Sequence, residues 1–112
     1  YAVSDAISAT GLSDGFYNFA GIDVEKKNDI VCLKNTNTLA GSVITMHETF
    51  KNLVNMNFSL KEAVRMTSYN ASKYLKLDNV GLLKEENISN FVVMDKNLNL
   101  LKVFLNGELV SE

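Results

Sequence analysis

Proline and tryptophan are absent from the sequence, and cysteine and histidine occur once each. The single cysteine, Cys32, excludes an internal disulfide framework and is typical of a protein from a reducing compartment. The single histidine, His47, lies in no His-x-His or Cys-x-x-Cys spacing, so the chain has no recognisable metal-binding motif. We therefore expect that this chain alone holds no metal ion.

Long apolar runs and basic clusters are missing as well. No apolar run approaches the ~20 residues of a membrane-spanning helix, and no signal peptide is recognisable. The formal net charge is -2 at pH 7, and no cluster of basic residues could neutralise phosphates. We expect a cytoplasmic chain whose partners include neither a membrane nor a nucleic acid.

The composition is that of a globular protein. The 112 residues, of which 46% are apolar and 21% charged, suffice for one domain with a core. The first residue is Tyr1 rather than Met, and it stands inside an apolar, strand-like run. We therefore expect the sequence to be part of a longer protein.

Short β-strands are predicted toward both ends of the chain. Asn28-Asp29 and Asn106-Gly107 predict two-residue hairpin turns, because these residues tolerate left-handed backbone angles. The run FVVM at residues 91–94 is apolar on both faces and predicts a central, covered strand. The predicted strands are residues 1–4, 16–20, 22–27, 30–33, 91–94, 100–105 and 108–110.

A helix is predicted over residues 43–55, directly after the segment Thr38-Leu39-Ala40-Gly41-Ser42. Gly41, flanked by small residues, allows a backbone to approach another group closely. Ser42 is predicted to cap the helix by accepting a hydrogen bond from a backbone N–H. The alternative for this segment is an ordinary turn before a helix, without a role in binding.

Two more helices are predicted downstream. Ser59 and Glu62 have the spacing of a capping box, which predicts that a helix begins there. Asn70 is predicted to cap a third, short helix over residues 71–77. The side chains predicted to face a core on the second helix are Ala63, Val64 and Met66.

Asp5 is the candidate catalytic residue. It follows the predicted strand over residues 1–4, and barrel and open α/β enzymes place catalytic groups at the carboxyl ends of strands. Its neighbours Ser4 and Ala6 are small and would not obstruct a substrate. The alternative is that Asp5 caps a turn, which is the commoner role of an aspartate after a strand.

Short motifs succeed one another along the chain: VSDA at 3–6, DG-x-Y at 14–17, TLAGS at 38–42, SL-x-EA at 59–63 and NFVVMD at 90–95. In this order they resemble the C-terminal part of the N-acetylglucosamine-6-phosphate deacetylases, a family of the amidohydrolase superfamily. The resemblance runs over nearly the whole chain. It implies that the sequence belongs to a hydrolase of amino-sugar metabolism.

The resemblance implies an α/β fold in two parts. Residues 1–77 would be the end of a (β/α)8, or TIM, barrel, comprising its last strand, a β excursion and the closing helices. Residues 78–112 would be the C-terminal strands of a small β-sandwich domain. The parent would be a homodimer with a divalent metal, zinc or iron, held by a Glu and two His residues from an earlier part of the chain.

The resemblance also implies the chemistry. Asp5 would act as general base and then general acid in the hydrolysis of N-acetylglucosamine 6-phosphate to glucosamine 6-phosphate and acetate. Ala40, Gly41 and Ser42 would line the sugar-phosphate pocket through backbone groups near the helix start. We expect the isolated chain to be inactive, because it carries one catalytic carboxylate and none of the metal ligands.

Two alternatives stay open at this point. The parent could be another composite-barrel amidohydrolase, of the dihydroorotase or nucleobase deaminase type, which also ends in an aspartate and a small β domain. The Leu-Ala-Gly-Ser turn at residues 39–42 favours the deacetylase. Alternatively, the chain is a non-catalytic module that serves folding or dimer contacts.

Overall fold

A computed structural model of the chain describes residues 1–111. The elements follow the order of three strands, four helical segments (three α-helices and one π-helix) and three strands, and the strands form two separate antiparallel sheets. The chain divides into two compact units. One unit comprises Val3–Thr49, and the other comprises Tyr1–Ala2 together with the residues from Phe50 onward.

The first sheet lies in the unit Val3–Thr49. Its strands are β1 (Gly15–Phe19), β2 (Ile22–Lys27) and β3 (Ile30–Leu33), with β2 in the centre. Asn28 and Asp29 have φ of 50° and 60°, as a tight hairpin between β2 and β3 requires. The strands and the hairpin predicted over residues 16–33 are confirmed to within one residue.

One face of this sheet covers the core of the unit. Five side chains are buried together, and three more pack against them partly exposed. Lys26 is also only 7% exposed, because its ammonium group reaches the loop before β1 and donates to the Leu12 carbonyl at 2.6 Å. The buried residues are Ile7, Ala9, Val24, Val31 and Val43, and the flanking ones are Tyr17, Leu33 and Ala40.

Residues 1–4 do not form the predicted strand. A strand needs a neighbour that offers alternating N–H and C=O groups along its length. Among the described residues, the Ala2 N–H donates a hydrogen bond only to the Met66 carbonyl, at 2.7 Å. The first sheet-like contact comes later, as a single parallel bridge between Ala6 and Ser42.

Helix α1 spans Met46–Asn55, so the prediction that it begins at residue 43 with Ser42 as its cap is wrong. Thr45 occupies the capping position instead. Its hydroxyl accepts the Glu48 N–H at 3.2 Å, and its own N–H donates to the Glu48 carboxylate at 2.6 Å. This is a second capping box, formed by a Thr and a Glu three residues apart, and the sequence carries that spacing as plainly as it does at Ser59.

The next helix confirms the predicted capping box at Ser59. Helix α2 spans Leu60–Val64, and the Ser59 hydroxyl accepts the Glu62 N–H at 3.3 Å. In return, the Ser59 N–H donates to the Glu62 carboxylate at 2.9 Å. Of the side chains predicted to face a core, Ala63 is buried and Met66 packs against it partly buried, but Val64 is 46% exposed. Val64 therefore lies on the open side of the helix.

Asn70 does not cap a separate third helix. The chain stays helical through a π-helical segment, Arg65–Tyr69, and continues as α3, Asn70–Tyr74. Asn70 has helical φ and ψ of -65° and -34°, and its N–H donates to the Arg65 carbonyl five residues back. A capping residue needs a non-helical backbone, so Asn70 does not cap a helix N-terminus.

The turn at Gly81 packs closely on this helix. A Cβ atom at position 81 would lie 2.9 Å from the Ser72 Cβ and 3.5 Å from the Tyr69 Cα. Ser72 is buried, and its hydroxyl donates to the Tyr69 carbonyl at 2.8 Å. A glycine at this position therefore leaves room for the buried serine.

The second sheet consists of β4 (Phe91–Met94), β5 (Leu100–Leu105) and β6 (Glu108–Ser111), in that spatial order. Among the described residues, β4 pairs on one side only, so the prediction of a central, covered strand is wrong. Val92 is 49% exposed and Val93 is 37% exposed. The predicted hairpin at Asn106-Gly107 is confirmed between β5 and β6.

In the part of the chain from residue 1 to residue 111, every helix is too short or too polar to cross a membrane.

The capping box at Ser59 makes the stability of the chain depend on pH. The pKa of the Glu62 carboxyl is held below its ordinary value of 4.5, first by the hydrogen bond from the Ser59 hydroxyl and then by that from its N–H. The folded chain therefore binds this proton less tightly than the unfolded chain. The resulting stabilisation is fully present above pH 4.5 and is lost as the pH falls through the folded pKa.

We expect Glu62→Gln to lower the urea midpoint of unfolding near neutral pH, and the difference from the unsubstituted chain to shrink in acid. Chemical denaturation across a pH series measures this. Glu85→Gln is the matched control, since Glu85 is an exposed glutamate in the same unit. A difference for Glu62→Gln that stays constant with pH would contradict the assignment.

Candidate functional site

Asp5 lies at the surface of the unit Val3–Thr49, with its side chain exposed. Its backbone is left-handed, with φ of 53°, which an aspartate tolerates better than most residues. Among the described residues, no group donates a hydrogen bond to its carboxylate. The side chain is therefore open to water and to any ligand on this face.

The backbone around Asp5 is joined to that around Ser42 by the parallel bridge. The Ser42 N–H donates to the Asp5 carbonyl at 2.8 Å, and the Ile7 N–H donates to the Ser42 carbonyl at 3.0 Å. The Ser42 hydroxyl donates a short hydrogen bond to the Ser4 carbonyl. Two segments far apart in the sequence thus meet at this point.

Gly41 lies directly against Asp5. With φ of 97° it has a backbone conformation that side chains rarely adopt. A Cβ atom at this position would lie 2.7 Å from the Ile7 Cγ2, 3.0 Å from the Asp5 carbonyl oxygen and 3.7 Å from the Asp5 Oδ2. Only a residue without a side chain permits this approach.

The backbone donors of residues 40–42 are used unequally. The Ala40 N–H donates to the Val31 carbonyl at 3.0 Å, and the Ser42 N–H is taken by Asp5. The Gly41 N–H, in contrast, has no acceptor among residues 1–111. The arrangement therefore places an open carboxylate beside a peptide N–H without a partner, which suits proton transfer next to a bound polar group.

Ile7 belongs to this site although no sequence motif singled it out. Its side chain packs against Gly41 and is buried in the core of the unit, while its N–H completes the bridge to Ser42. A signal was present in the sequence, because Ile7 is the one large aliphatic residue in the run of small residues between Ser4 and Gly11.

The described residues do not fit a metal ion. They contain no group of three or more His, Cys, Asp or Glu side chains arranged to hold one. The three carboxyl groups with clearly shifted pKa values are engaged in hydrogen bonds within the chain. Hydrogen bonds lower the pKa of each: Asp23 mainly through Asn18 and then Lys34, Glu62 through Ser59, and Asp95 mainly through Asn99. These bonds lie in a hairpin, a helix cap and a turn.

Comparison with known proteins gives a consistent picture. The family described as "Amidohydrolase family" matches residues 2–110. An N-acetylglucosamine-6-phosphate deacetylase of Lysinibacillus sphaericus is 35% identical over 96% of this chain and 28% of its own length. An N-acetylgalactosamine-6-phosphate deacetylase of Escherichia coli is 29% identical over 97% of this chain and 29% of its own length.

Solved structures agree with the sequence comparison. The crystal structure of N-acetylglucosamine-6-phosphate deacetylase from Pasteurella multocida matches with a TM-score of 0.90 and 30% identity. The match covers 98% of this chain and 29% of that chain. The chain therefore spans less than a third of the length of each of these three relatives.

The close approach at Gly41 predicts a larger loss of stability than its backbone conformation alone would cause. Gly11→Ala is the matched control, because Gly11 also has a positive φ, of 76°, but a Cβ atom there would meet no atom within 4 Å. We expect Gly11→Ala to cost about 1–2 kcal/mol of the free energy of unfolding. Gly41→Ala should cost about 1–3 kcal/mol more, because Ile7 or Asp5 must move. Urea denaturation measures both, and equal losses would contradict the contact.

Proposed function

The chain belongs to the amidohydrolase family, and on this basis we propose that it is the C-terminal part of a deacetylase that hydrolyses N-acetylglucosamine 6-phosphate. The products are glucosamine 6-phosphate and acetate. The observation that carries the proposal is the meeting of Asp5 with Gly41 and Ser42 in a chain whose relatives are named for this reaction. The relatives described above are neither dihydroorotases nor nucleobase deaminases.

The proposal assigns the chain to two parts of the complete protein. Residues 1–77 contribute the last strand and closing helices of a (β/α)8 barrel, and residues 78–112 contribute strands of a small β-sandwich. In the complete barrel, residues 1–4 gain the neighbouring strands that they lack here. The edge of β4 likewise gains a partner strand in the sandwich. We place the parent in the cytoplasm, as a homodimer.

Asp5 provides the acid–base chemistry. Its carboxylate takes a proton from the water molecule whose oxygen attacks the acetamide carbonyl carbon. The protonated carboxyl then returns that proton to the amide nitrogen as the carbon–nitrogen bond breaks, which leaves acetate and a free amine. The exposed position of Asp5, with no hydrogen bond to its carboxylate from residues 1–111, leaves the oxygen atoms open for both steps.

A divalent metal, zinc or iron, belongs to the proposed parent but not to this chain. Amidohydrolases are generally metal-dependent. The resemblance to the deacetylases implies that a Glu and two His residues from the part of the parent that precedes the chain hold this metal, and the described residues offer no ligand cluster of their own. The proton transfers above are accordingly assigned to Asp5 alone.

Ala40, Gly41 and Ser42 line the sugar-phosphate pocket. The Gly41 N–H is the donor that remains for an anionic or carbonyl oxygen of the substrate, since those of Ala40 and Ser42 are used within the chain. The absence of a side chain at position 41 brings a ligand bound there close to the Asp5 carboxylate. Binding and proton transfer thus take place at adjacent residues.

A second candidate substrate is N-acetylgalactosamine 6-phosphate. The Escherichia coli relative named for it covers the same share of the chain as the glucosamine relatives do. The two substrates differ only in the configuration at C4, away from the acetamide, so Asp5 would perform the same chemistry on both. Measuring kcat/KM for both sugars with the complete protein decides between them.

In the complete protein, Asp5→Asn should lower kcat at least about a thousandfold, because the amide can neither accept nor return the proton. Release of acetate from N-acetylglucosamine 6-phosphate measures this. Asp78→Asn is the control, since it makes the same change at an exposed aspartate outside the site and should leave kcat unaltered. Undiminished hydrolysis by Asp5→Asn would overturn the proposal.

The 112-residue chain by itself should not deacetylate the sugar phosphate, even with zinc added, because residues 1–111 supply no metal-ligand cluster. The same assay applied to the purified chain tests this, with the complete protein as the positive control. Turnover by the chain well above the buffer rate would show that the proposed division of the site is incorrect.

A further inference from the structure

Every polar group of Ser42 is engaged within the chain. Its N–H donates to the Asp5 carbonyl at 2.8 Å, and its carbonyl accepts the Ile7 N–H at 3.0 Å. Its hydroxyl donates to the Ser4 carbonyl and accepts the Ile44 N–H, the latter at 3.3 Å. A serine has one N–H and one hydroxyl hydrogen. Both are used here, so Ser42 has no donor left for a ligand.

The two groups that receive the Ser42 hydrogens flank Asp5. The Ser4 carbonyl belongs to the peptide unit before the Asp5 Cα, and the Asp5 carbonyl belongs to the unit after it. Together these two peptide planes set the direction of the bond from Cα to Cβ in Asp5. The Asp5 carboxylate has no hydrogen bond to residues 1–111. The direction of the side chain is therefore set by these hydrogen bonds to the backbone on either side of it.

We propose that Ser42 is a positioning residue for the deacetylation, an inference that rests on the proposed function. Ser42 fixes both peptide planes around Asp5 in their left-handed conformation and thereby directs the carboxylate toward the reacting water and the departing nitrogen. Its hydroxyl acts through Asp5 and touches neither of those groups. A misplacement of a catalytic group by about 1 Å costs roughly a hundredfold in rate.

Ser42→Ala removes the bond to the Ser4 carbonyl and the acceptor of the Ile44 N–H, and it keeps the backbone bridge. In the complete protein, we expect kcat for N-acetylglucosamine 6-phosphate to fall about 10- to 100-fold. KM should change less than about twofold, because the Ser42 hydroxyl does not bind the substrate. Ser42→Thr retains a hydroxyl and should restore kcat to within about threefold of the unsubstituted enzyme. Ser13→Ala is the control, as Ser13 is exposed in the same unit and its hydroxyl bonds to no described residue.

The kinetic pattern separates the possible roles of Ser42. A raised KM with unchanged kcat in Ser42→Ala would make the hydroxyl a ligand-binding group and overturn the inference. Unchanged kinetics, or a loss that Ser42→Thr does not restore, would overturn it as well. A thermal unfolding midpoint for each variant shows whether reduced activity arises from an unfolded fraction.

Amide hydrogen exchange gives a readout that needs no turnover. The Ile7 amide should exchange at least several times faster in Ser42→Ala, because the bridge that protects it loses the adjacent hydrogen bond from the Ser42 hydroxyl to the Ser4 carbonyl. The exchange rate of the Glu62 amide, which is bonded to Ser59, should not change. If Ser42→Ala speeds exchange at Ile7 but the unsubstituted complete protein does not deacetylate the sugar phosphate, the proposed function is overturned, and with it the role of Ser42 in catalysis. Normal deacetylation with unchanged exchange and kcat in Ser42→Ala would overturn the positioning role alone.

Discussion

The parallel bridge between Ala6 and Ser42 is the interaction on which the candidate site depends. It consists of two backbone hydrogen bonds, and it holds because residues on both of its segments are anchored in the same core. Ile7 follows Ala6, Val43 follows Ser42, and both side chains are buried together. The apolar core thus fixes the position of two polar segments that could not hold each other at the surface. The position of the Asp5 backbone therefore does not depend on any contact of the Asp5 side chain.

This arrangement also explains why the segment at residues 40–42 is built from small residues. Gly41 lets the Asp5 backbone approach, and the half-buried Ala40 packs against the core of the unit. The donors on either side of Gly41 hold the framework, and the donor of Gly41 itself stays open. Under the proposed function, structural and ligand-binding tasks are divided among these three consecutive residues.

The elements that the sequence predicted correctly are those fixed by neighbours in the chain. The hairpin at Asn28-Asp29 and the capping box at Ser59 are decided within four residues, so local rules suffice. Ser42 shows where such rules end. Its hydroxyl accepts the Ile44 N–H locally, but no helix begins there, and the same hydroxyl donates to the Ser4 carbonyl, a contact between distant segments that local rules do not show.

The same distinction applies to the remaining errors. The apolar run of β4 predicted burial on both faces, yet burial depends on which elements cover the strand, and a pattern within the strand does not show them. The candidate site was predicted first from the position of Asp5 after an apolar run and then, more specifically, from motifs. The order of VSDA and TLAGS pointed to Asp5 and residues 40–42, whereas Ile7 belongs to no such motif.

The π-helical segment has a consequence for the phase of the helix that follows it. A π turn accommodates one more residue than an α turn, as the bond from the Asn70 N–H to the Arg65 carbonyl shows. One residue of an α-helix corresponds to a rotation of about 100° around the helix axis, and the wider π turn absorbs that rotation. Deleting a single residue from this segment would therefore restore an α-helical turn and keep Ser72 against Gly81. Deleting Ala71 from α3 would instead turn Ser72 away from Gly81 and bring a neighbouring side chain into the space where only a small one fits.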